Sequence, residues 1–176
     1  NAVKDSGVPF KVTATAPTRA TDLTSSNFTN FQLYAFEGAN EWIAGKQFTK
    51  TTSWAPANAN ETYKWPNAGV TSNFYAVSEN GTSMSSAFTV DDIANTQSFT
   101  YTVPTTVADQ KDLLVASTTG KSTDAQVALA FKHALANATL TLKLDPSKTD
   151  QGTSKTAKYR LAIKIKSISI NNIKTI

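Results

Sequence analysis

Residues 109–144, DQKDLLVASTTGKSTDAQVALAFKHALANATLTLKL, hold the reading on which the fold turns. Val127, Leu129 and Phe131 alternate with small or polar residues, which places three apolar side chains on one face of a strand. Leu140, Leu142 and Leu144 alternate equally well but on the opposite parity. A single strand cannot hold both sets on one face, because an offset of one residue turns every side chain over. It would also run to about 60 Å at about 3.3 Å per residue, far beyond an ordinary strand. The chain is therefore expected to break phase between Lys132 and Ala138, where Lys132-His133-Ala134-Leu135-Ala136 is short enough for one turn. The expectation is strand, turn, strand.

Outward from this stretch the chain reads as strands throughout. Val8, Phe10, Val12 and Ala14 alternate with Pro9, Lys11, Thr13 and Thr15, giving a first strand over residues 8–16 with one buried face. Pro17-Thr18-Arg19-Ala20-Thr21 follows as a polar connector. Residues 28–36 form the next strand, and its far end, Leu33-Tyr34-Ala35-Phe36, is apolar on both faces, as befits the inside of a sheet. Residues 42–50 pair with it across Glu37-Gly38-Ala39-Asn40. Residues 51–62 read as a loop, and Tyr63, Trp65, Phe74, Tyr75 and Val77 supply the densest aromatic block.

Glu79-Asn80-Gly81-Thr82 is a turn, with Gly81 free to take positive φ. Phe99, Tyr101 and Val103 make a short strand stopped by Pro104, and residues 104–111 a turn or one helical turn capped by Thr105 or Thr106. Residues 113–116 are a short buried strand, with Gly120 in the loop after it. Tyr159, Leu161, Ile163 and Ile165 then oppose Lys158, Arg160, Lys164 and Lys166, and a bulge is expected near Lys166-Ser167. Eight or nine strands with at most one or two short helical turns make an all-β, two-layer, Greek-key-like β-sandwich. Residues 1–7 are expected as a flexible lead and residues 8–176 as one β-sandwich domain. Phe131, Leu140 and Leu142 are expected to share a core with Leu113, Val115 and Leu161.

Composition narrows the class. At 176 residues with 40% hydrophobic content, the chain is long and apolar enough to bury a core. It has no cysteine, which removes disulfides and thiolate metal sites. The +4 net charge is scattered and falls short of a nucleic-acid footprint. No run of about 18 apolar residues exists, so no membrane-spanning helix is expected, and Asn1 begins directly in polar chain.

Few residues offer chemistry. His133 is the only histidine, and with no nucleophile motif beside it the expected role is structural, a hydrogen bond to the turn. Asp91-Asp92 and the pair Asp109 and Asp112 lack calcium-loop spacing and read as caps and surface charges. Of Trp42, Trp54 and Trp65, Trp65 reads as core and Trp54, in a Ser/Ala/Pro loop, is the candidate ligand contact. The row Lys158, Arg160, Lys164 and Lys166 fits a solvated strand face that discourages edge-to-edge association. The sequons at Asn27, Asn60, Asn80 and Asn137 are expected by chance in a chain so rich in Asn and Thr. No catalytic constellation can be assembled, and neither a cofactor nor a metal is expected.

Asp112-Leu113-Leu114-Val115-Ala116 followed by Phe131-Lys132-His133-Ala134-Leu135-Ala136 and an alternating strand resembles the signature of the fimbrillins, the pilin subunits and related surface lipoproteins of Bacteroidales bacteria. Tyr63-Lys64-Trp65-Pro66, Phe74-Tyr75-Ala76, and Tyr101-Thr102-Val103 ahead of Gln110 stand in the order expected of that family's amino-terminal domain, so the resemblance runs from about residue 9 to the end. It implies a transthyretin-like sandwich and an exported, outer-membrane-associated subunit or accessory component of a cell-surface fimbrium that contributes to adhesion. The lipidated cysteine of such lipoproteins is absent here, and the resemblance leaves room for a second domain beyond Ile176. Implied partners are other fimbrial subunits and an Arg-specific surface protease cutting at Arg19-Ala20. The strand exchanged on assembly would then carry Val8, Phe10, Val12 and Ala14. The competing expectation is a non-polymerising surface lipoprotein whose loops bind glycan or host protein.

Overall fold

A computed structural model describes residues 5–17, 27–82, 88–92 and 98–135. The chain divides into two compact units, Asn1–Ala136 and Asn137–Ile176, and the described residues all belong to the first. The expected strands of residues 140–144 and 159–170, with Leu140, Leu142, Leu161 and the basic row, lie outside them.

The first unit is all-β. Among its described residues the strands are β1 (Val12–Thr15), β2 (Asn30–Glu37), β3 (Asn40–Lys50), β4 (Trp54–Pro56), β5 (Ser72–Glu79), β6 (Phe88–Asp92), β7 (Ser98–Tyr101), β8 (Leu113–Gly120), β9 (Val127–Ala130) and β10 (Lys132–His133), with one 3-10 turn at Val107–Asp109. Six strands form the main sheet in the order β10-β8-β5-β2-β3-β4, every neighbouring pair antiparallel. β1 pairs with β9 in parallel, Val12 opposite Val127 and Thr15 opposite Ala130. β6 and β7 form a separate hairpin.

The position of β2 follows from its sequence. With Leu33, Tyr34, Ala35 and Phe36 all buried, both faces are covered and both edges are paired. Gly38, at φ 61°, makes the tight connection to β3. Farther along, Leu33 opposes Lys46 and Ala35 opposes Ile43, so Tyr34 faces the two residues Ala44 and Gly45 across a bulge. Gly45 sits at φ +58°, and a Cβ there would lie 2.9 Å from the Tyr34 hydroxyl, so glycine is required twice over.

The core occupies one face of the main sheet. Phe31, Leu33, Ala35, Ile43, Phe48, Phe74, Ala76, Leu114 and Ala116 meet Val12, Val127, Leu129 and Phe131 in one cluster. The β1–β9 pair is thus the second layer of a sandwich-like arrangement. The opposite face carries a smaller cluster of Tyr34, Phe36 and Val77, with Tyr75, Phe99 and Val115 packed against it.

Several local expectations need correction. Residues 51–62 are not all loop: β4 pairs with the end of β3, Lys50 opposite Trp54, and the Trp54 indole packs 4.8 Å from the Phe31 ring and 5.3 Å from Phe28. Pro56 is tolerated because β4 is an edge strand. The core-facing residues of β8 are Leu114 and Ala116, while Val115 packs on the other face and Leu113 is buried outside both clusters. β8 also continues to Gly120, which pairs with Ser72. Val103 is exposed and lies past the end of β7. At Phe131 the chain leaves β1 and joins β8 through β10, and the far side of the expected phase break between Lys132 and Ala138 lies outside the described residues.

Candidate functional site

The first strand is seated in two halves, each against a different partner. Its leading half borders the segment around Lys64: Ser6 N donates to the Trp65 carbonyl at 2.9 Å, Trp65 N to the Val8 carbonyl at 3.0 Å, and Phe10 N to the Tyr63 carbonyl at 2.9 Å. Its trailing half, β1, lies along β9, where the carbonyls of Lys11 and Thr15 accept from Val127 N at 2.9 Å and Phe131 N at 3.1 Å. The alternation read from the sequence holds across both halves. Val12 is buried in the core cluster, and Val8, Phe10, Ala14 and Ala16 pack against it.

Phe10, though only partly buried, makes the aromatic contacts of this seat. Its ring stacks on Phe74 at 5.4 Å and 12°. It meets Trp42, Trp65 and Phe48 edge-on at 5.4, 5.7 and 6.2 Å. Trp42 and Phe48 come from β3, Phe74 from β5, and Trp65 from the segment bonded to Val8. The buried Trp42 Nε1 has no hydrogen-bond partner. Sequence reading placed Trp65 in the core; the aromatic density of residues 63–75 signalled Trp65 and Phe74, while nothing in the sequence tied Trp42 to them.

The rim of the seat is polar. Lys64 Nζ bonds Asp5 Oδ2 at 2.8 Å, and this contact, with the Gly7 amide, holds the Asp5 carboxyl below the usual carboxylate range. Tyr63 donates to Glu61 at 2.5 Å, and Lys46 bonds the same carboxylate at 3.2 Å. Those bonds lower Glu61, that from Tyr63 most, while burial and then the Glu61 bond push the Tyr63 phenol well up.

The structure brings Val8, Phe10, Val12 and Ala14 together in this seat; Arg19 and Ala20 lie outside the described residues. Trp54 does not join them as an exposed platform, being half-buried against Phe28 and Phe31. His133 contacts the Asp112 carboxylate through Nδ1 and so ties β10 to the start of β8. Nearby, Ala134 N donates to the Leu113 carbonyl at 2.8 Å. Among the described residues no group of three or more His, Asp or Glu is arranged to hold a metal ion. On the outer face of the main sheet, Tyr34, Tyr75, Phe99, Val115, Ser117 and Lys132 help to line a cleft of about 330 Å³.

Compared with known proteins, residues 18–175 match the fimbrillin-like family. The first strand therefore precedes the matched range, which starts later than the resemblance at about residue 9. No curated protein and no solved structure matches the chain significantly.

Proposed function

Because the chain belongs to the fimbrillin-like family, a family of structural pilins located in cell-surface fimbriae, we propose that it is a fimbrial subunit that assembles by exchanging its first strand. The observation that carries this reading is the seating of that strand. Its side chains are part of the core, yet among the described residues its backbone is held by two short pairings with different partners.

Removing the strand uncovers the places of Val8, Phe10, Val12 and Ala14 along the core. Each fully buried apolar side chain withdrawn costs roughly 1.5–3 kcal/mol, besides the backbone groups of β9 and the Lys64 segment left without partners. That deficit favours capture of an extended strand from another subunit, the strand-addition mode of recognition. Release is assigned to an Arg-specific surface protease cutting between Arg19 and Ala20 in the polar connector. Export, outer-membrane association and a contribution to adhesion belong to the same proposal.

Limited digestion with an Arg-specific protease tests it. The expected result is early cutting after Arg19 and, once the amino-terminal strand is lost, oligomers whose population rises with concentration. A cut product that stays folded and monomeric with other fimbrial subunits supplied would overturn the assembly mechanism. The alternative, a non-polymerising surface lipoprotein that binds glycan or host protein, draws support from the outer-face cleft, where the rings of Tyr75 and Phe99 stand with Lys132 and Ser117. A reproducible glycan-array signal lost on Tyr75→Ala would put that reading first.

A further inference from the structure

Resting on the strand-exchange reading, we propose that the cage around Phe10 is the specificity pocket of the exchange site. It selects an incoming strand that carries one aromatic side chain in a fixed register and runs parallel to β9. The partner is thus an extended segment of another fimbrial subunit, recognised by an aromatic anchor rather than by general hydrophobicity.

The first argument is preorganisation. Trp42, Trp65 and Phe74 touch one another without help from Phe10, with centroid separations of 5.6 Å for Trp42–Trp65, 5.8 Å for Trp42–Phe74 and 5.6 Å for Trp65–Phe74. Two of the three belong to β3 and β5, inside the main sheet. A cage whose walls support one another outlasts departure of its occupant, so an incoming ring pays little to reorder it. The second is geometry. Phe10 meets one wall in a stack and three edge-on, which are the arrangements an aromatic quadrupole favours and which an aliphatic side chain cannot reproduce.

The third argument is contrast along the strand. The other core-facing residues of the segment are Val8, Val12, Ala14 and Ala16, none of which has a ring. Recognition energy in protein contacts concentrates in aromatic anchors seated in well-packed pockets, with aliphatic neighbours supplying complementarity. Direction and register follow from the ladder: Val12 lies opposite Val127, and the Lys11 and Thr15 carbonyls take the Val127 and Phe131 amides. A strand entering antiparallel would present a different pattern of donors and acceptors. The aromatic residue must therefore stand two positions before the residue that faces Val127.

Synthetic peptides of residues 8–16 test the pocket against two full-length hosts, the Phe10→Ala chain and the wild-type chain nicked after Arg19. The second host covers the case in which the substitution prevents folding. Fluorescence of Trp42 and Trp65, which wall the cage, reports binding. The wild-type peptide is expected to bind, the peptide with Phe10→Leu about 10-fold more weakly, and that with Phe10→Ala about 100-fold or more. The peptide with Val12→Ala should lose less than about 10-fold. If Phe10→Ala weakens binding no more than Val12→Ala does, the pocket is not the selective element, although exchange itself stands. If no peptide, wild-type included, binds either folded host, the strand-exchange reading fails and takes this inference with it.

Discussion

β2 and the first strand supply side chains to the same core but are held in it differently. β2 is paired on both edges, with β3 from Asn30 to Glu37 and with β5 from Gln32 to Phe36, and both of its faces are covered. The first strand seats its apolar face as regularly, yet it changes partner midway and Phe10 is only partly buried. Burial and anchorage are thus separable. A segment can complete a core through its side chains while its backbone bonds to the other described residues are split between two short pairings, and such a segment can open as a unit without unfolding the sheet beneath it.

The largest effect should come from β2. Phe31→Ala removes a ring stacked on Phe48 at 5.6 Å and packed against Phe131 and Trp54. It should cost about 3–5 kcal/mol in equilibrium denaturation, seen equally by every probe. A loss below about 1 kcal/mol would show that β2 is no better anchored than the first strand.

Phe10→Ala should cost less, about 2–3 kcal/mol, and the loss should be local. Amide hydrogen exchange should quicken at Trp65, Val127 and Phe131, whose N–H groups bond the first strand, while protection within β2 and β5 is kept. Equal acceleration in β2 would mean that the two strands open together, and the contrast would disappear.

Gly45→Ala probes what fixes β2 against β3. With φ at +58° and the Tyr34 hydroxyl 2.9 Å from the new Cβ, it should cost about 1–3 kcal/mol and disturb resonances of Tyr34 without opening the first strand. Tolerance of the substitution would show that the bulge does not set the register.

The smallest effect belongs to the rim. Asp5 is exposed and its carboxyl is lowered chiefly by the hydrogen bond from Lys64. A carboxyl lowered by folding stabilises above its unfolded pKa and loses that contribution as pH falls through the folded one. The difference in stability between wild type and Asp5→Asn should therefore be present at neutral pH, shrink on acidification through and below the usual carboxylate range, and vanish at the acid end. A difference that grew on acidification would reverse the assignment.

Much of this arrangement was legible in the sequence. A run apolar on both parities, Leu33 to Phe36, could only be a strand covered on both sides, and β2 is one. Alternation of Val8, Phe10, Val12 and Ala14 named the core-facing side chains of the first strand, because a strand's period of two depends on covalent geometry alone. Asn80 and Gly81 take φ 51° and 74°, the left-handed region that such a pair tolerates. The composition, rich in Thr, Ser, Asn and Ala and poor in charge, suited the all-β class.

Tertiary structure decided the rest. In Leu113-Leu114-Val115-Ala116 every residue is apolar, so periodicity cannot choose a face; packing against Phe131 and Leu129 on one side and Val77 on the other put Leu114 and Ala116 in the core and Val115 outside it. Trp54 sat in a stretch with turn-like composition, and only its pairing across Lys50 and the rings of Phe28 and Phe31 made it a packed strand residue. The partners of the first strand, Lys64 ahead and β9 behind, are distant in sequence. Alternation tells which side of a strand is apolar, but hydrogen-bonding edges are chemically alike from strand to strand, so the neighbour that takes each edge is settled by the packing of the whole core.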